Sequence, residues 1–256
     1  MLRAVRRRNP PDGPFYKQQG WINSAVFLGF FLAMSLMATL YDTTGTDIAD
    51  DSRAMLAGHG GGPLSPGDPQ RVRNGPGGRP ENCRTDDKDT ALPATAPTDV
   101  RWQKLVALMV PTSPSAGPLH TDATMWWCFA RTPTGAALAA HIIPVQLSGP
   151  AWRTVAEQQM VPGGPRDRFV TSKARANRAG TGQGAVGRFA GFSVASYSRD
   201  SATVQLLVTN PMGGYRSTSV SVRWRDGDWK VAPADDGALY TPAQQANPGG
   251  FVTWGA

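Results

Sequence analysis

The sequence predicts an α+β fold in which helices pack on one face of a curved antiparallel sheet, after one N-terminal transmembrane helix and a disordered linker. Three observations lead to this prediction. An uncharged apolar run lies near the N-terminus, a stretch rich in Gly and Pro follows it, and the remaining sequence passes from helical apolar spacing to a period of two. We therefore divide the chain into a cytoplasmic basic tail (1–20), a transmembrane helix (21–41), a flexible linker (42–97) and an outer domain (98–256).

The apolar run extends from residue 18 to residue 41 without a charge, so as a helix it is long enough to cross a bilayer core of about 30 Å. Residues 1–20 carry a net charge of +4, and four aspartates lie within residues 42–51. The positive-inside rule therefore predicts a single-pass protein of the cell membrane, with the N-terminus in the cytoplasm and the rest outside. A cleaved signal peptide and a buried core helix are the alternatives, but the run is longer than a usual signal-peptide core.

The linker is predicted from composition, because its Gly and Pro residues are frequent and its large apolar side chains are few. Such a segment holds a domain away from the membrane.

Residues 59–62, HGGG, resemble a lipase oxyanion loop, but the chain lacks the G-x-S-x-G motif that such a loop needs. Residues 182–187 match G-x-G-x-x-G, yet they follow a helix-like segment and precede a strand-like one, the reverse of a dinucleotide site. We interpret 182–187 as a flexible turn.

The first half of the outer domain predicts strand-like material followed by three helices. Aromatic and β-branched residues favour strands, and apolar residues at helical spacing favour helices. The predicted segments are strands over 100–110 and 123–131, a helix from Thr134 as N-cap that Pro144 ends or kinks, and helices over about 150–160 and 165–178.

The second half predicts antiparallel strands over about 189–197, 202–208, 217–224 and 228–231. The Asp226-Gly227 pair between the last two is a hairpin signal. Trp224 and Trp229 are therefore expected to pack against each other across this hairpin.

The hairpin sequence WRDGDWKV, residues 224–231, resembles the last strands of NTF2-like (cystatin-like) domains. The whole outer part resembles an uncharacterised actinobacterial membrane-anchored family associated with integrative and conjugative elements. The segments that carry the resemblance are 97–102, 131–136, 224–231 and 250–255. An anchor followed by an NTF2-like outer domain is also similar in layout to VirB8-type components of type IV secretion machines. The resemblance implies an NTF2-like fold and an accessory role in conjugative transfer.

The sequence identifies no catalytic, cofactor-binding or metal-binding residue, and we expect no cofactor. His59, His120 and His141 are far apart and lack Cys or acidic partners at metal-ligand spacing. Turn chemistry explains Asp226, and as exposed hairpin carboxylates Asp226 and Asp228 would lack the burial that separates the pKa values of a catalytic pair.

The third predicted helix is the candidate partner-binding surface. Its five basic residues, opposed only by Asp167, are Arg166, Arg168, Lys173, Arg175 and Arg178. Such a face suits an acidic partner protein or anionic lipid headgroups, and a solvated helix face is the alternative.

Cys83 and Cys128 are the two cysteines of the chain. A location outside the cell permits a disulfide between them, which would tie the end of the linker to the second predicted strand. One buried and one free thiol is the alternative.

These features lead to one functional hypothesis and two alternatives. The leading hypothesis is a non-enzymatic scaffold or assembly protein with protein partners, an accessory of conjugative transfer. NTF2-like domains have a cone that can hold a ligand. The first alternative is a module that binds a small ligand or lipid in such a cone, lined by Trp126, Trp127, Phe192 and Tyr197. The second is an enzyme in that cone.

Nucleic acid is not expected as a partner, because membrane topology explains the basic tail and the outer positive charge is spread out. Oligomerisation stays open.

Overall fold

The computed structural model describes residues 64, 79–80, 82–179 and 187–255. The predicted tail and transmembrane helix, most of the predicted linker and residues 182–186 of the glycine motif lie outside these residues. Among the described residues, no helix has both the length and the apolar character needed to cross a membrane.

The described residues form an α+β fold, as the sequence predicts. The helices are α1 (Pro133–Gln146), α2 (Trp152–Gln159) and α3 (Gly164–Arg178). The strands are β1 (Arg101–Leu105), β2 (Leu108–Thr112), β3 (His120–Thr121), β4 (Trp126–Trp127), β5 (Phe189–Ser198), β6 (Ser201–Thr209), β7 (Tyr215–Arg225), β8 (Asp228–Val231), β9 (Gln244–Ala246) and β10 (Val252–Thr253). A 3-10 turn, Pro248–Gly250, precedes β10.

The main sheet has the strand order β10-β5-β6-β7-β8, and β9 also pairs with β7. Every pairing in it is antiparallel. The pairs β1–β2 and β3–β4 form two separate small sheets. The helices precede the long strands in sequence, and β5, β6, β7 and β8 each pair with their neighbours along the chain.

Two bulges keep the apolar residues of β5 on one face. The pairing register shifts between Phe189 and Gly191 and again between Val194 and Ser196. Each shift inserts one extra residue, which turns a spacing of three into a spacing of two on the sheet. The residues facing the helices are thus Phe189, Phe192, Val194 and Tyr197, opposite Val208, Leu206, Val204 and Ala202 of β6.

Helix α1 lies at the centre of the fold, and all but one of its fourteen residues are buried. A helix that is apolar on every side needs neighbours all round, and α1 packs against both the main sheet and the β1–β2 pair. The predicted cap was wrong by two residues, because Thr132, not Thr134, accepts the hydrogen bond from the Gly135 N–H at 3.1 Å. Pro144 does not end the helix, which continues to Gln146.

The two strands predicted before α1 are shorter than expected. Residues 100–110 do not form one strand, because the chain turns back at Val106, whose φ is +55°, and pairs with itself. Of residues 123–131, the described strand is Trp126–Trp127 alone. The backbone N–H of Trp126 donates to Gln146 Oε1 at 2.5 Å, so a side chain of α1 supplies what a neighbouring strand would.

Several described residues before position 98 are held against the domain, so the predicted domain start at 98 is too late. Leu64 is buried; its N–H donates to Gln158 and its carbonyl accepts from Lys230 Nζ at 2.9 Å. Arg79 and Cys83 are also buried. Composition predicts a free linker because it counts few apolar residues, but a few anchored side chains suffice to fix an irregular segment.

Candidate functional site

An apolar cleft of about 490 Å³ opens between the helices and the main sheet. It has four walls: the C-terminal part of α1, one side of α3, the helix-facing side of the sheet, and the loop before β9. Its lining residues are Leu108, Pro144, Val145, Leu147, Ser148, Phe169, Lys173, Gly187, Phe189, Leu206, Val208, Thr218, Leu239, Tyr240, Thr241 and Ala243. We refer to this space as the apolar cleft.

The cleft lies beside the C-terminal end of β6. Strand β6 presents Val204, Leu206 and Val208 on its helix-facing side. Val204 and Leu206 are fully buried, whereas Val208 is only partly covered and borders the cleft. Apolar side chains around a concave space of this volume are typical of ligand sites.

Lys173 is the one charged residue among those that line the apolar cleft. It lies one helical turn after Phe169, so the two side chains share one side of α3. Lys173 is partly buried and forms no ion pair within the described part of the chain. An apolar wall with one lysine among its lining residues is therefore the distinctive chemistry of this cleft.

The basic residues of α3 do not form one surface. Arg168 and Arg175 are exposed and line a shallow depression on another side of the helix, where Asp167 and Asp236 also lie. The Arg168 guanidinium donates to the Asp235 carbonyl. The helix thus separates these two arginines, with local acidic neighbours, from the lysine at the cleft.

The remaining two basic residues are placed differently again. Arg166 lies 3.7 Å from the carboxylate of Asp167, its neighbour in sequence, and its side chain is mostly covered. Arg178 is exposed in the last turn of α3. A cation at a helix C-terminus interacts favourably with the helix dipole, which gives Arg178 a local structural role.

The four aromatic residues expected to line a cone lie elsewhere, since none of them borders the apolar cleft. Trp126 is held by Gln146 and Gln159, and Trp127 stacks on His120 with 4.3 Å between ring centroids.

The other two aromatic residues are likewise part of the core. Phe192 stacks on Trp254 at 4.4 Å, and the Tyr197 hydroxyl donates to the Arg131 carbonyl at 2.8 Å. Sequence reasoning missed Phe169, Phe189 and Val208 as lining residues. The four-residue spacing of Phe169 and Lys173 is the signal that could have indicated a helix side with both an aromatic and a basic side chain.

Asp228 is fully buried, so the expectation of two exposed hairpin carboxylates was wrong. Its oxygens accept hydrogen bonds from the backbone N–H groups of Cys128, Phe129 and Trp229 at 2.7, 2.9 and 2.9 Å. Burial raises the pKa of Asp228 to about 6, against the opposing effects of these N–H groups and the Arg79 charge. The carboxylate fastens the segment before α1 to the β7–β8 hairpin.

Asp226 has a different partner on the same hairpin. Its carboxylate lies 2.6 Å from Nζ of Lys230, which is itself buried and also donates to the Leu64 carbonyl. A buried ammonium needs such compensation because its desolvation is costly. The two hairpin aspartates therefore serve separate structural contacts and do not form a pair.

His141 is buried in α1 beside Phe189, Phe192 and Trp254. Its Nδ1 donates to the Ala137 carbonyl at 2.7 Å, and its Nε2 accepts from the indole N–H of Trp254 at 3.1 Å. A carbonyl only accepts and an indole only donates, so the ring is neutral with the proton on Nδ1. Burial lowers the pKa of His141 to about 4.

Cys83 and Cys128 are joined in a disulfide, with 5.5 Å between their Cα atoms. Cys128 has a φ of +72°. The next two residues, Phe129 and Ala130, are buried and precede α1 in the chain. Among the described residues, no three His, Cys, Asp or Glu side chains come together as metal ligands would.

Comparison with known proteins gives one finding. A family model described as Domain of unknown function (DUF8175) matches residues 65–253. No curated protein and no solved structure matches the chain.

Proposed function

Since this chain belongs to the DUF8175 family, a domain of unknown function, we propose its function from the geometry: it is a non-enzymatic, single-pass membrane protein whose outer domain binds the apolar part of a ligand. The observation that carries this proposal is the apolar cleft of about 490 Å³. Ligand sites are concave, mostly apolar and of this size. Partly covered Val208 and Phe189 leave apolar surface there for a ligand to bury.

The test is photolabelling of the full chain in phosphatidylcholine nanodiscs with dodecanol that carries a diazirine on its alkyl chain. Labels are located by mass spectrometry of peptides. We expect labels on the peptides around residues 169–173, 205–209 and 239–243. Val208→Trp should lower this labelling by about tenfold because the larger ring fills the cleft.

The matched control is Gln205→Trp, on the same strand but on the opposite face of the sheet. It should leave labelling of the cleft peptides unchanged. Equal labelling of wild type and Val208→Trp, with both proteins folded by near-ultraviolet circular dichroism, would refute the cleft as the site.

The proposed location is the cell membrane, with the N-terminus in the cytoplasm and the C-terminal domain outside the cell. The buried disulfide supports it, because disulfides persist in oxidising compartments. The charge difference across residues 18–41 supports it independently. A reporter enzyme that is active only outside the cytoplasm, fused after Ala256, should be active; activity of only a cytoplasm-specific reporter would reverse the topology.

We further propose that the fold is NTF2-like. Three helices that precede an antiparallel sheet, a first long strand with two bulges, and the Trp-Trp hairpin of β7 and β8 support this assignment. An experimental structure of the domain, compared with NTF2-like domains, is the direct test.

A second candidate function is assembly with protein partners as an accessory of conjugative transfer, in the layout of VirB8-type components. The exposure of Arg168, Arg175 and Arg178 on α3 favours it, since basic faces attract acidic partners. The double variant Arg168→Glu/Arg175→Glu should lose partners in low-salt pull-downs from membranes. Arg223→Glu/Arg225→Glu, with the same charge change on exposed positions of β7, is the control. Recovery of identical partners by both variants would show a merely solvated helix face.

A further inference from the structure

Lys173 gives the apolar cleft a polarity that a purely apolar ligand would not use. Lys173 borders a space whose other fifteen lining residues carry no charge. Within the described residues it has no carboxylate partner, although Asp167 and Asp236 lie near other basic residues of the same helix. Resting on the proposed binding function, we propose that the cleft takes a single alkyl chain with an anionic headgroup, the chain inside the cleft and the headgroup on Lys173.

Four hydroxyl side chains line the apolar cleft, those of Ser148, Thr218, Tyr240 and Thr241, and two of them already donate to backbone carbonyls. The Ser148 hydroxyl donates to the Val145 carbonyl and the Thr218 hydroxyl donates to the Thr241 carbonyl, each at 2.6 Å. Their protons are therefore already used within the protein. A ligand with many polar groups, such as a sugar or nucleoside, would leave those groups unpaired against the apolar wall.

The anionic headgroup follows from the chemistry of Lys173. A partly buried ammonium forms short, strong hydrogen bonds with carboxylate or phosphate oxygens. Phe169, one turn away on α3, lines the same wall and would contact the first carbons of the chain. The shared ligand chemistry is thus an alkyl chain plus a terminal anion, and a fatty acid and a single-chain phospholipid are its two sources.

The experiment compares two probes that differ only in the headgroup. Photoreactive dodecanoate and photoreactive dodecanol, with the diazirine at the same chain position, label the full chain in phosphatidylcholine nanodiscs. We expect dodecanoate to half-saturate the cleft peptides at a roughly tenfold lower concentration than dodecanol, as one charge-assisted contact implies. Competition by dodecanoate and by dodecyl phosphate separates the two sources: the stronger competitor identifies the natural headgroup class.

The variants isolate Lys173 from the rest of the helix. Lys173→Met keeps the apolar stem and removes the charge, so it should abolish the preference for dodecanoate while dodecanol still labels the cleft. Lys173→Arg should retain the preference. Arg175→Met removes a charge from the exposed side of the same helix and should change neither probe. All variants share one nanodisc composition, so the partition of a given probe into lipid is the same in each and cancels when variants are compared.

Each outcome assigns the failure to one proposal. Equal labelling by the two probes in wild type, or a preference that survives in Lys173→Met, overturns the anionic-headgroup inference and leaves the binding function intact. Absence of cleft labels from both probes refutes the binding function itself.

Discussion

Asp228 joins three backbone N–H groups that belong to two segments about one hundred positions apart. In sequence it follows the Asp226-Gly227 turn, and the sequence predicts an exposed hairpin carboxylate at this position. In the structure it is a buried carboxylate that positions the Cys128-Phe129 segment. Local sequence does not reveal this role, because two of the three donors come from another part of the chain.

The first prediction concerns the pH dependence of Asp228. Its pKa is raised to about 6 in the native state from an ordinary value of 3.8. Between these values the native protein binds more protons than the unfolded chain, so the free energy of unfolding falls as pH rises. Relative to Asp228→Asn, which does not titrate, wild type should lose roughly 1–3 kcal/mol between pH 4 and pH 7.

Urea unfolding of both proteins across this range measures the effect. The free energy of unfolding of wild type minus that of Asp228→Asn cancels the contributions of the other titrating groups. If this quantity rises with pH instead of falling, the three N–H donors outweigh burial and hold the pKa of Asp228 below its ordinary value.

The second prediction concerns His141 and has the opposite sign. Its pKa is lowered to about 4 from 6.5, so between these values the unfolded chain binds more protons than the native state. The free energy of unfolding should therefore fall as pH drops from 6.5 towards 4. Protonation of Nε2 would also remove the acceptor for the Trp254 indole.

His141→Gln, a neutral side chain, is the reference. Wild type should lose roughly 1–3 kcal/mol more stability than this variant between pH 7 and pH 4.5. Amide exchange of residues 252–254 should accelerate in wild type over the same range. Parallel pH profiles for the two proteins would contradict a neutral buried imidazole.

At the scale of elements, the β7–β8 hairpin is the clearest agreement between sequence and structure. Asp226 and Gly227 both have positive φ, +55° and +83°, which is the turn that an Asp-Gly pair favours in a two-residue hairpin. Trp224 and Trp229 are directly opposite, with rings 5.4 Å apart at 81°. The predicted packing of the two tryptophans is confirmed.

The third prediction is the cost of removing one of these rings. Trp224 is buried and lies under the guanidinium groups of Arg79 and Arg131, at 4.6 and 5.1 Å. Trp224→Ala should lower the free energy of unfolding by about 3–5 kcal/mol, because a large cavity opens and two cation–π contacts vanish.

Thermal and urea unfolding measure this cost. Trp102→Ala is the control, since Trp102 is 36% exposed in β1 and should cost much less. Equal melting temperatures for wild type and Trp224→Ala would mean that the ring does not belong to the core.

At the scale of the whole molecule, contacts far apart in sequence decide where the domain begins. The disulfide spans 45 positions, and the buried Arg79 side chain donates to the Phe129 carbonyl at 3.1 Å. Lys230 reaches back to Leu64 across 166 positions. The family match from residue 65 to residue 253 agrees with a domain that includes this segment.

The fourth prediction tests this tether. Cys83→Ala/Cys128→Ala should lower the free energy of unfolding by about 2–4 kcal/mol, because the unfolded chain regains the freedom of a closed loop. Limited proteolysis should then cut within residues 82–97 at a protease concentration that leaves wild type intact. Unchanged stability and unchanged cleavage would show that Arg79 and the neighbouring contacts hold the segment without the disulfide.

Much of the main sheet and of the helices was predictable because local rules govern them. Apolar and polar residues alternate over residues 201–206 of β6 and 219–225 of β7, and α3 begins near Pro165 as Pro preferences indicate. The β1–β2 turn at Val106 was not predictable, since a β-branched residue rarely adopts positive φ. The packing of Val106 against Gly149, a contact outside its own hairpin, accompanies this conformation.

The candidate site shows the same division. The sequence by itself determined that the long strands form an antiparallel sheet, that the β7–β8 turn is tight, and that α3 is basic, because periodicity, turn chemistry and charge are local properties of the chain. Only the tertiary structure decided that Lys173 faces an apolar cleft while Arg168 and Arg175 face away, that Asp228 is buried, and that residue 64 belongs to the domain. The physical reason is that burial and pKa depend on groups brought together from distant positions, and one side of a helix acquires its chemistry only from what packs against it.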